Sequence, residues 1–351
     1  MNNQLTVSLQ QAAQLIANCP ENRFLLEGEP GIGKSSIIKV LEEMTGYKGY
    51  YVDCANLDLG DVTCPMPVKE TKTLEYFVNG NFGLQDGKPV IIMLDEFTKG
   101  SDPVKNTLHP LLEVRNPRLG NMPLTAGSIV CLTGNGSAIG VGDSLKAHTK
   151  MRLTVIKVRK PSADEWLPWA SLNNISPVIM AWINRNAHAL ASYMDNDQAG
   201  NPYIFQPNLI QDGVVSPRTL EYASNLVKRK EYYDDVALHV SLSGTIGEAA
   251  ATSLASYIRH NDRLPSWRSI IEHPTTTPVP EEQGALAVLV YGALERVDRE
   301  TISAWMVYLE RLETEWQFIF NIALARNPQK QSVGFTCRKF AEWCSRNSDL
   351  L

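Results

Sequence analysis

Short apolar runs alternate with helical patterns through the first half of the chain. The runs are Phe24–Leu26, Tyr50–Val52, Val90–Leu94, Ile129–Leu132 and Leu153–Val158. Each run is continuous rather than alternating with polar residues, which is typical of strands that are buried on both faces of a sheet. Alternation of strands with helices favours parallel pairing and helices on both faces. The pattern therefore predicts a three-layer αβα domain with a five-stranded parallel sheet.

The pattern changes after Pro161, where strand-like runs nearly vanish and amphipathic helical patterns follow one another. Helices are predicted over Ala163–Trp169, Val178–Met194, Thr219–Lys230, Ile246–Arg259, Gln283–Glu295, Glu300–Leu324 and Val333–Asn347. The segment His273–Pro280 carries closely spaced prolines and cannot be helical throughout, so we expect a connector there. We predict an α/β domain over 1–160, a helical lid over 161–275 and a helical C-terminal extension over 276–351.

Composition narrows the class of protein without choosing a function. At 351 residues the chain exceeds one comfortable core, and 44% apolar with 20% charged residues is ordinary for a soluble protein. No basic segment followed by an apolar stretch opens the sequence, so we expect a cytoplasmic location. A net charge of −5 disfavours nucleic acid as the default partner, although a basic pore in an oligomer would escape this count. The scattered cysteines and histidines lack zinc-site spacing.

A phosphate-binding pattern, G-x-x-x-x-G-K-[ST], follows the first predicted strand. The predicted nucleotide-binding residues are Gly28, Glu29, Pro30, Gly31, Ile32, Gly33, Lys34, Ser35 and Ser36. Glycines let successive backbone N–H groups point at a phosphate, and the following helix offers its positive N-terminal dipole. Lys34 would contact the β- and γ-phosphates of ATP, and Ser35 would ligate Mg²⁺. An apolar stripe at i, i+3, i+4 and i+7 from Ile37 supplies the expected helix, which disfavours a glycine-rich turn without a ligand.

Two further buried strands end in polar residues. Asp95 and Glu96 follow Val90–Leu94, and ligands bind at the carboxyl edge of open α/β sheets. We therefore predict that Asp95 holds Mg²⁺ with Ser35 and that Glu96 polarises the attacking water. Asn135 follows Ile129–Leu132, where it could orient that water. From the residues alone, a turn-forming role for Asn135 is the alternative.

With these three elements in this order, the chain resembles the AAA+ ATPases, whose Walker A, Walker B and sensor 1 motifs they are. The segment Ser144–Leu153 resembles the one that carries the arginine finger, which implies that Arg152 reaches the γ-phosphate of a neighbouring subunit. Val215–Glu221 resembles the start of the sensor 2 helix and implies that Arg218 reaches the phosphate from the lid. Without the resemblance, both are surface or ion-pairing arginines.

Within AAA+ the chain is most similar to the MoxR-like ATPases of phages and bacteria. The similar segments include Asp58–Pro67, Asp164–Ala170 and the Ser-Pro-Arg-Thr-Leu-Glu run at 216–221. Leu57–Lys69 resembles the helix 2 insert of that branch and Arg115–Asn121 a presensor hairpin, with two ordinary polar loops as the alternative.

The resemblance implies a ring, expected to be hexameric, that hydrolyses ATP with Mg²⁺ and remodels or activates a protein partner. It also implies that this partner contains a von Willebrand factor A domain. Two other functions stay open. One is a nucleic-acid-directed motor or loader, which the acidic pI near 5.8 disfavours. The other is a nucleotide-dependent assembly switch with little turnover.

Overall fold

A computed structural model describes residues 5–135, 145–195 and 197–350, together with the backbone but not the side chains of Asn135 and Leu350. The chain divides into two compact units, Met1–Lys160 and Pro161–Leu351.

The first unit is built on a sheet of five parallel strands. These strands are β1 (Arg23–Gly28), β2 (Lys48–Asp53), β5 (Val90–Asp95), β8 (Ile129–Asn135) and β9 (Thr154–Lys157). In the described part of the chain, their order across the sheet is β2-β5-β8-β1-β9. The prediction of a five-stranded parallel α/β sheet is confirmed. The helices of the first unit are α1 (Leu9–Asn18), α2 (Ile37–Thr45), α3 (Leu59–Val62), α4 (Asp102–Leu108) and α5 (Ala147–Lys150).

The strands are continuously apolar because successive side chains enter two different cores. In β5, Ile92 and Leu94 pack in the core that includes Val104 of α4. Ile91 and Met93 pack in the opposite core, together with residues of α1 and α2. Period-two alternation of side chains across a strand therefore makes every position of β5 apolar, up to the point where Asp95 ends it.

Two hairpins project from the α/β framework. The longer hairpin pairs β3 (Thr63–Val68) with β4 (Thr73–Val78), so that Thr63 lies opposite Val78. The shorter hairpin joins β6 (Arg118–Leu119) to β7 (Met122–Pro123). The apolar pattern does not predict the β3–β4 hairpin, because the two prolines of β3 interrupt it. Proline is tolerated there because both strands of a two-stranded ladder are edge strands.

The second unit is helical. Its helices are α6 (Ala163–Leu172), α7 (Pro177–Arg185), α8 (Pro217–Lys228), α9 (Asp235–Ile246), α10 (Glu248–Arg263), α11 (Trp267–Glu272), α12 (Gln283–Arg296), α13 (Ile302–Leu309), α14 (Thr314–Ala325), α15 (Gln331–Gly334) and α16 (Arg338–Arg346). One apolar cluster extends from Ala163 to Cys344. The helical class of this half is confirmed. Within the described ranges, no helix is long and apolar enough to cross a membrane.

Several predicted helix bounds are wrong, for local reasons. The helix predicted from Ile246 instead begins after Gly247, whose φ of +88° interrupts the helical backbone between α9 and α10. The predicted Glu300–Leu324 helix is two helices, because Glu313 adopts an extended backbone before α14. Likewise α7 ends at Arg185 and a short 3₁₀ turn follows.

The same holds at the C-terminal end, where Val333–Asn347 divides into α15 and α16 with extended Cys337 between them. The proline-rich connector is hydrogen-bonded to the helices before and after it. Thr277 Oγ1 donates to Ser269 O of α11 at 2.8 Å, and Tyr308 Oη of α13 donates to Pro278 O at 2.7 Å. The domain boundary at 275/276 stays a prediction.

Candidate nucleotide site

The phosphate loop connects β1 to a 3₁₀ turn, Lys34–Ser36, that leads directly into α2. Gly31 and Gly33 have φ values of +75° and +94°, a region that side chains other than glycine rarely adopt. Gly28 is required for another reason, since a Cβ there would lie 2.5 Å from Val158 O. The buried Lys34 donates from Nζ to Gly28 O at 2.8 Å and to Glu29 O at 2.7 Å, so its side chain folds over the loop.

Asp95 is brought to the start of the phosphate-loop helix although it lies 60 residues further along the chain. Ser35 Oγ is 3.1 Å from Asp95 Oδ1 and 3.0 Å from Oδ2. Asp95 is only 7% exposed, so the desolvation of its carboxylate must be offset by donors. Thr133 donates to Oδ1, and Tyr51 donates to Oδ2 at 2.6 Å.

Glu96 is turned toward the surface by an unusual backbone conformation. Its φ of +50° is uncommon for a residue other than glycine, and its N–H donates to Thr133 Oγ1 at 2.9 Å. Its Oε1 accepts from Lys99 Nζ at 2.7 Å, and the side chain is 40% exposed. Glu96 therefore lies beside the buried Asp95 but remains reachable by solvent.

Sequence reasoning missed Tyr51 and Thr133. They lie on β2 and β8, the two strands that flank β5, and both face the same core side of the sheet as Asp95. The available signal was the alternation of faces along each strand, but it becomes informative only once the strand order is known. Partial burial, followed by the hydrogen bond to Asp95, holds the pKa of the Tyr51 phenol well above its ordinary value.

The other predicted site residues are placed less completely. In the register of β1 with β8, Asn135 lies opposite Gly28, but its side chain lies outside the described part of the chain. Arg218 is exposed in the first turn of α8, in the second unit. Ser216 caps that helix through a capping box with Thr219. The predicted catalytic roles of Asn135 and Arg218 stay predictions.

Arg152 follows α5 in the first unit and is half-buried. Its Nε donates to Glu113 Oε1 at 3.1 Å, and its Nη1 donates to His148 O at 2.8 Å. The ring of His109 lies 5.4 Å from that of His148. Burial, with a smaller contribution from the charge of Arg152, lowers the pKa of His109 below its ordinary value. Ser144, at the start of this predicted segment, lies outside the described residues.

The donor set at Ser35 and Asp95 fits a magnesium ion. Mg²⁺ prefers oxygen ligands and usually keeps several waters, so one hydroxyl and one carboxylate beside a phosphate are sufficient protein donors. Across residues 5–135, 145–195 and 197–350, no group of three or more His, Cys, Asp or Glu side chains could hold a metal. A dedicated all-protein metal cage is therefore not formed by the described side chains.

Residues 23–123 match the family model described as AAA domain, dynein-related subfamily. The match contains the phosphate loop, Asp95 and Glu96, so this part of the chain is similar to AAA+ ATPase domains. No curated protein matches the chain.

Several solved structures are similar in chain course. The RuvB Holliday junction branch migration motor of Thermotoga maritima is 15% identical, over 86% of this chain and 86% of its own, with a TM-score of 0.37. NtrX of Brucella abortus in complex with ADP is 15% identical, over 99% of this chain and 70% of its own, with a TM-score of 0.39. A putative ATPase of Cytophaga hutchinsonii is 14% identical, over 74% of this chain and 91% of its own, with a TM-score of 0.35. At TM-scores below 0.5, these similarities carry no assignment of function.

Proposed function

We propose that this protein hydrolyses ATP with Mg²⁺ at the site formed by the phosphate loop and the carboxyl end of β5. The observation that carries the proposal is the contact of Ser35 Oγ with both oxygens of Asp95, at 3.1 and 3.0 Å. A phosphate-loop hydroxyl and a strand-end carboxylate meeting in this way form the protein part of a Mg-nucleotide site.

Each residue of the site has a role that follows from its position. The N–H groups of Gly31 to Ser35 would surround the β-phosphate, and Lys34 would exchange its two carbonyl partners for phosphate oxygens. Bound Mg²⁺, held by Ser35 and Asp95, would neutralise charge on the β- and γ-phosphate oxygens. Glu96 would accept a proton from the attacking water, which its partly exposed carboxylate can reach.

Three further residues would complete the site. We propose that Asn135 orients the attacking water, that Arg218 reaches the phosphates from the helical unit, and that Arg152 acts in the site of a neighbouring subunit. A guanidinium supplied from outside the loop stabilises charge on the transferred phosphoryl group and can contribute about 10³ to 10⁵ in rate. Hydrolysis would then depend on assembly into a ring, which we propose is hexameric.

The finer assignment is to a MoxR-type ATPase that remodels or activates a protein partner, possessing a von Willebrand factor A domain. Its support is the resemblance of Asp58–Pro67, Asp164–Ala170 and the 216–221 run to that branch. The exposed β3–β4 hairpin is compatible with contact to a partner, because Tyr76 and Phe77 are 45% and 59% exposed.

ATP turnover of the wild type and of Glu96→Gln tests the enzyme proposal. We expect turnover to fall at least about 100-fold in Glu96→Gln, because the general base is lost. Glu43→Gln is a matched control, since Glu43 is an exposed acid on α2. If the wild type hydrolyses ATP no faster than Glu96→Gln, the enzyme proposal fails and an assembly switch is favoured. Stimulation by DNA would favour the motor or loader instead.

Mixing two inactive variants tests the shared site. Arg152→Ala lacks the residue that we propose acts in the neighbour, whereas Glu96→Gln lacks the residue that acts in its own site. Mixed rings would contain interfaces with both groups intact, so we expect activity to recover. The oligomer mass in ATP is measured alongside. Stable mixed rings without any recovery would contradict the role proposed for Arg152.

A further inference from the structure

Asp95 is held from both sides of its own strand. Strand β5 lies between β2 and β8, and each neighbour contributes one hydroxyl to the carboxylate. Thr133 of β8 donates to Oδ1, and Tyr51 of β2 donates to Oδ2 at 2.6 Å. Because the two donors bind different oxygens, they fix the rotation of the carboxylate about its Cβ–Cγ bond. This rotation sets the two nearly equal distances to Ser35 Oγ.

We propose that Tyr51 is a positioning residue that orients Asp95 for Mg²⁺, an inference that rests on the proposed function. Tyr51 acts through Asp95 and is not itself a ligand. At neutral pH a phenol is protonated and therefore donates, and a hydrogen bond to an ionised oxygen is stronger than one between neutral groups. A fixed carboxylate loses less rotational freedom when it binds the ion, so the ion binds more tightly.

Tyr51 can be altered without opening a cavity, because the residue is 51% exposed. In Tyr51→Phe the ring remains, and water would take the place of the lost hydroxyl and could approach Oδ2 of Asp95 from several directions. The carboxylate would keep its charge and its bond to Thr133 but lose its second fixed donor. Lys34 and the loop N–H groups would be unchanged. The expected effect is therefore confined to the step in which Mg²⁺ joins the nucleotide.

The test compares ATP binding with and without the metal in a Glu96→Gln background, which suppresses turnover. A fluorescent ATP analogue is titrated in EDTA and at increasing Mg²⁺, and binding is followed by polarisation. Tyr51→Phe should raise the Mg²⁺ concentration for half-maximal effect by about three- to tenfold, the range of one lost hydrogen bond. Affinity in EDTA should stay within about twofold of the parent.

Tyr50→Phe is the matched control. Tyr50 is the next residue on β2 but faces the opposite core, and its hydroxyl donates to Asp86 at 2.5 Å rather than to Asp95. We expect the Mg²⁺ dependence of Tyr50→Phe to equal that of the parent. Thermal unfolding of both variants shows whether they are folded at the assay temperature.

The outcomes separate this inference from the function on which it rests. If the parent binds no ATP, or binds it equally with and without Mg²⁺, the proposed function fails. If the parent depends on Mg²⁺ and Tyr51→Phe has the same dependence, the role of Tyr51 is refuted while the proposed function stands. Equal weakening of binding in EDTA and in Mg²⁺ would also refute it, since that result indicates a general loss of site structure.

Discussion

Replacing Thr133 by Val should destabilise the first unit through two hydrogen bonds that share one oxygen. Thr133 is 2% exposed, and its Oγ1 donates to Asp95 Oδ1 while accepting from the N–H of Glu96 at 2.9 Å. Valine has nearly the same shape, so the change leaves no large cavity. It leaves a buried carboxylate oxygen and a partly buried N–H without this partner.

The magnitude follows from the two bonds. A hydrogen bond to a charged group contributes about 1.5–3 kcal/mol and a neutral one about 0.5–1.5 kcal/mol. We expect the free energy of unfolding of the first unit to fall by about 2–4 kcal/mol. Thr133→Ser keeps the hydroxyl and loses one methyl group, so its loss should be about 1 kcal/mol.

The assay can separate the two units because all seven tryptophans lie in the second unit, between Trp166 and Trp343. In urea titrations, tryptophan fluorescence follows the second unit, whereas far-UV circular dichroism follows both. A double-mutant cycle with Asp95→Asn isolates the bond to the carboxylate, and we expect a coupling of about 1.5–3 kcal/mol. A coupling below about 0.5 kcal/mol would refute the view that Thr133 holds Asp95.

Three further predictions concern other contacts. Gly28→Ala should destabilise the first unit by about 1–3 kcal/mol and weaken ATP binding, because the new Cβ would lie 2.5 Å from Val158 O. Gly60→Ala is the control, since its new Cβ meets nothing within 4 Å and the stability should not fall. Glu113→Gln should lower the free energy of unfolding by less than about 1 kcal/mol, because its ion pair with Arg152 is partly exposed; thermal melts showing a larger loss would contradict this. The folded state lowers the pKa of His109, so the contribution of this residue to stability is complete above pH 6.5 and is lost as the pH falls below that value. Between pH 7.5 and 5.5, urea titrations should show a smaller loss of unfolding free energy in His109→Phe than in the wild type. Equal losses in the two proteins would contradict the assignment.

The sheet could be predicted from the sequence because its signal is local. Each central strand is a continuous apolar run that ends in polar residues, and β5, which is buried at every position from Val90 to Asp95, has the clearest pattern. The helix bounds of the second unit could not be predicted as well. At Gly247 and Glu313 a break depends on one backbone conformation, and the apolar pattern continues across both breaks.

The site divides in the same way. Lys34, Ser35 and Asp95 belong to local motifs, so their proximity could be predicted from motif order and the parallel sheet. Tyr51 and Thr133 bear no motif, because a tyrosine or threonine in a strand is ordinary. Their function depends on β2 and β8 flanking β5, which is a property of strand order. Neighbour relations in a crossed-over parallel sheet are nonlocal, and one sequence gives no signal for them.

The contacts of Arg152 bear on whether the site is shared between subunits. A guanidinium has five N–H donors, and the described residues accept two of them, at Glu113 and His148 O. As far as the described residues go, three donors therefore remain for phosphate oxygens without breaking either contact. The pair with Glu113 contributes at most about 1 kcal/mol, because both side chains are partly exposed. It can orient the arginine without holding it back, so an ion pair within the subunit does not count against a role in a neighbour's site. If that role is correct, Glu113→Gln should lower turnover only in rings, and by less than Arg152→Ala does.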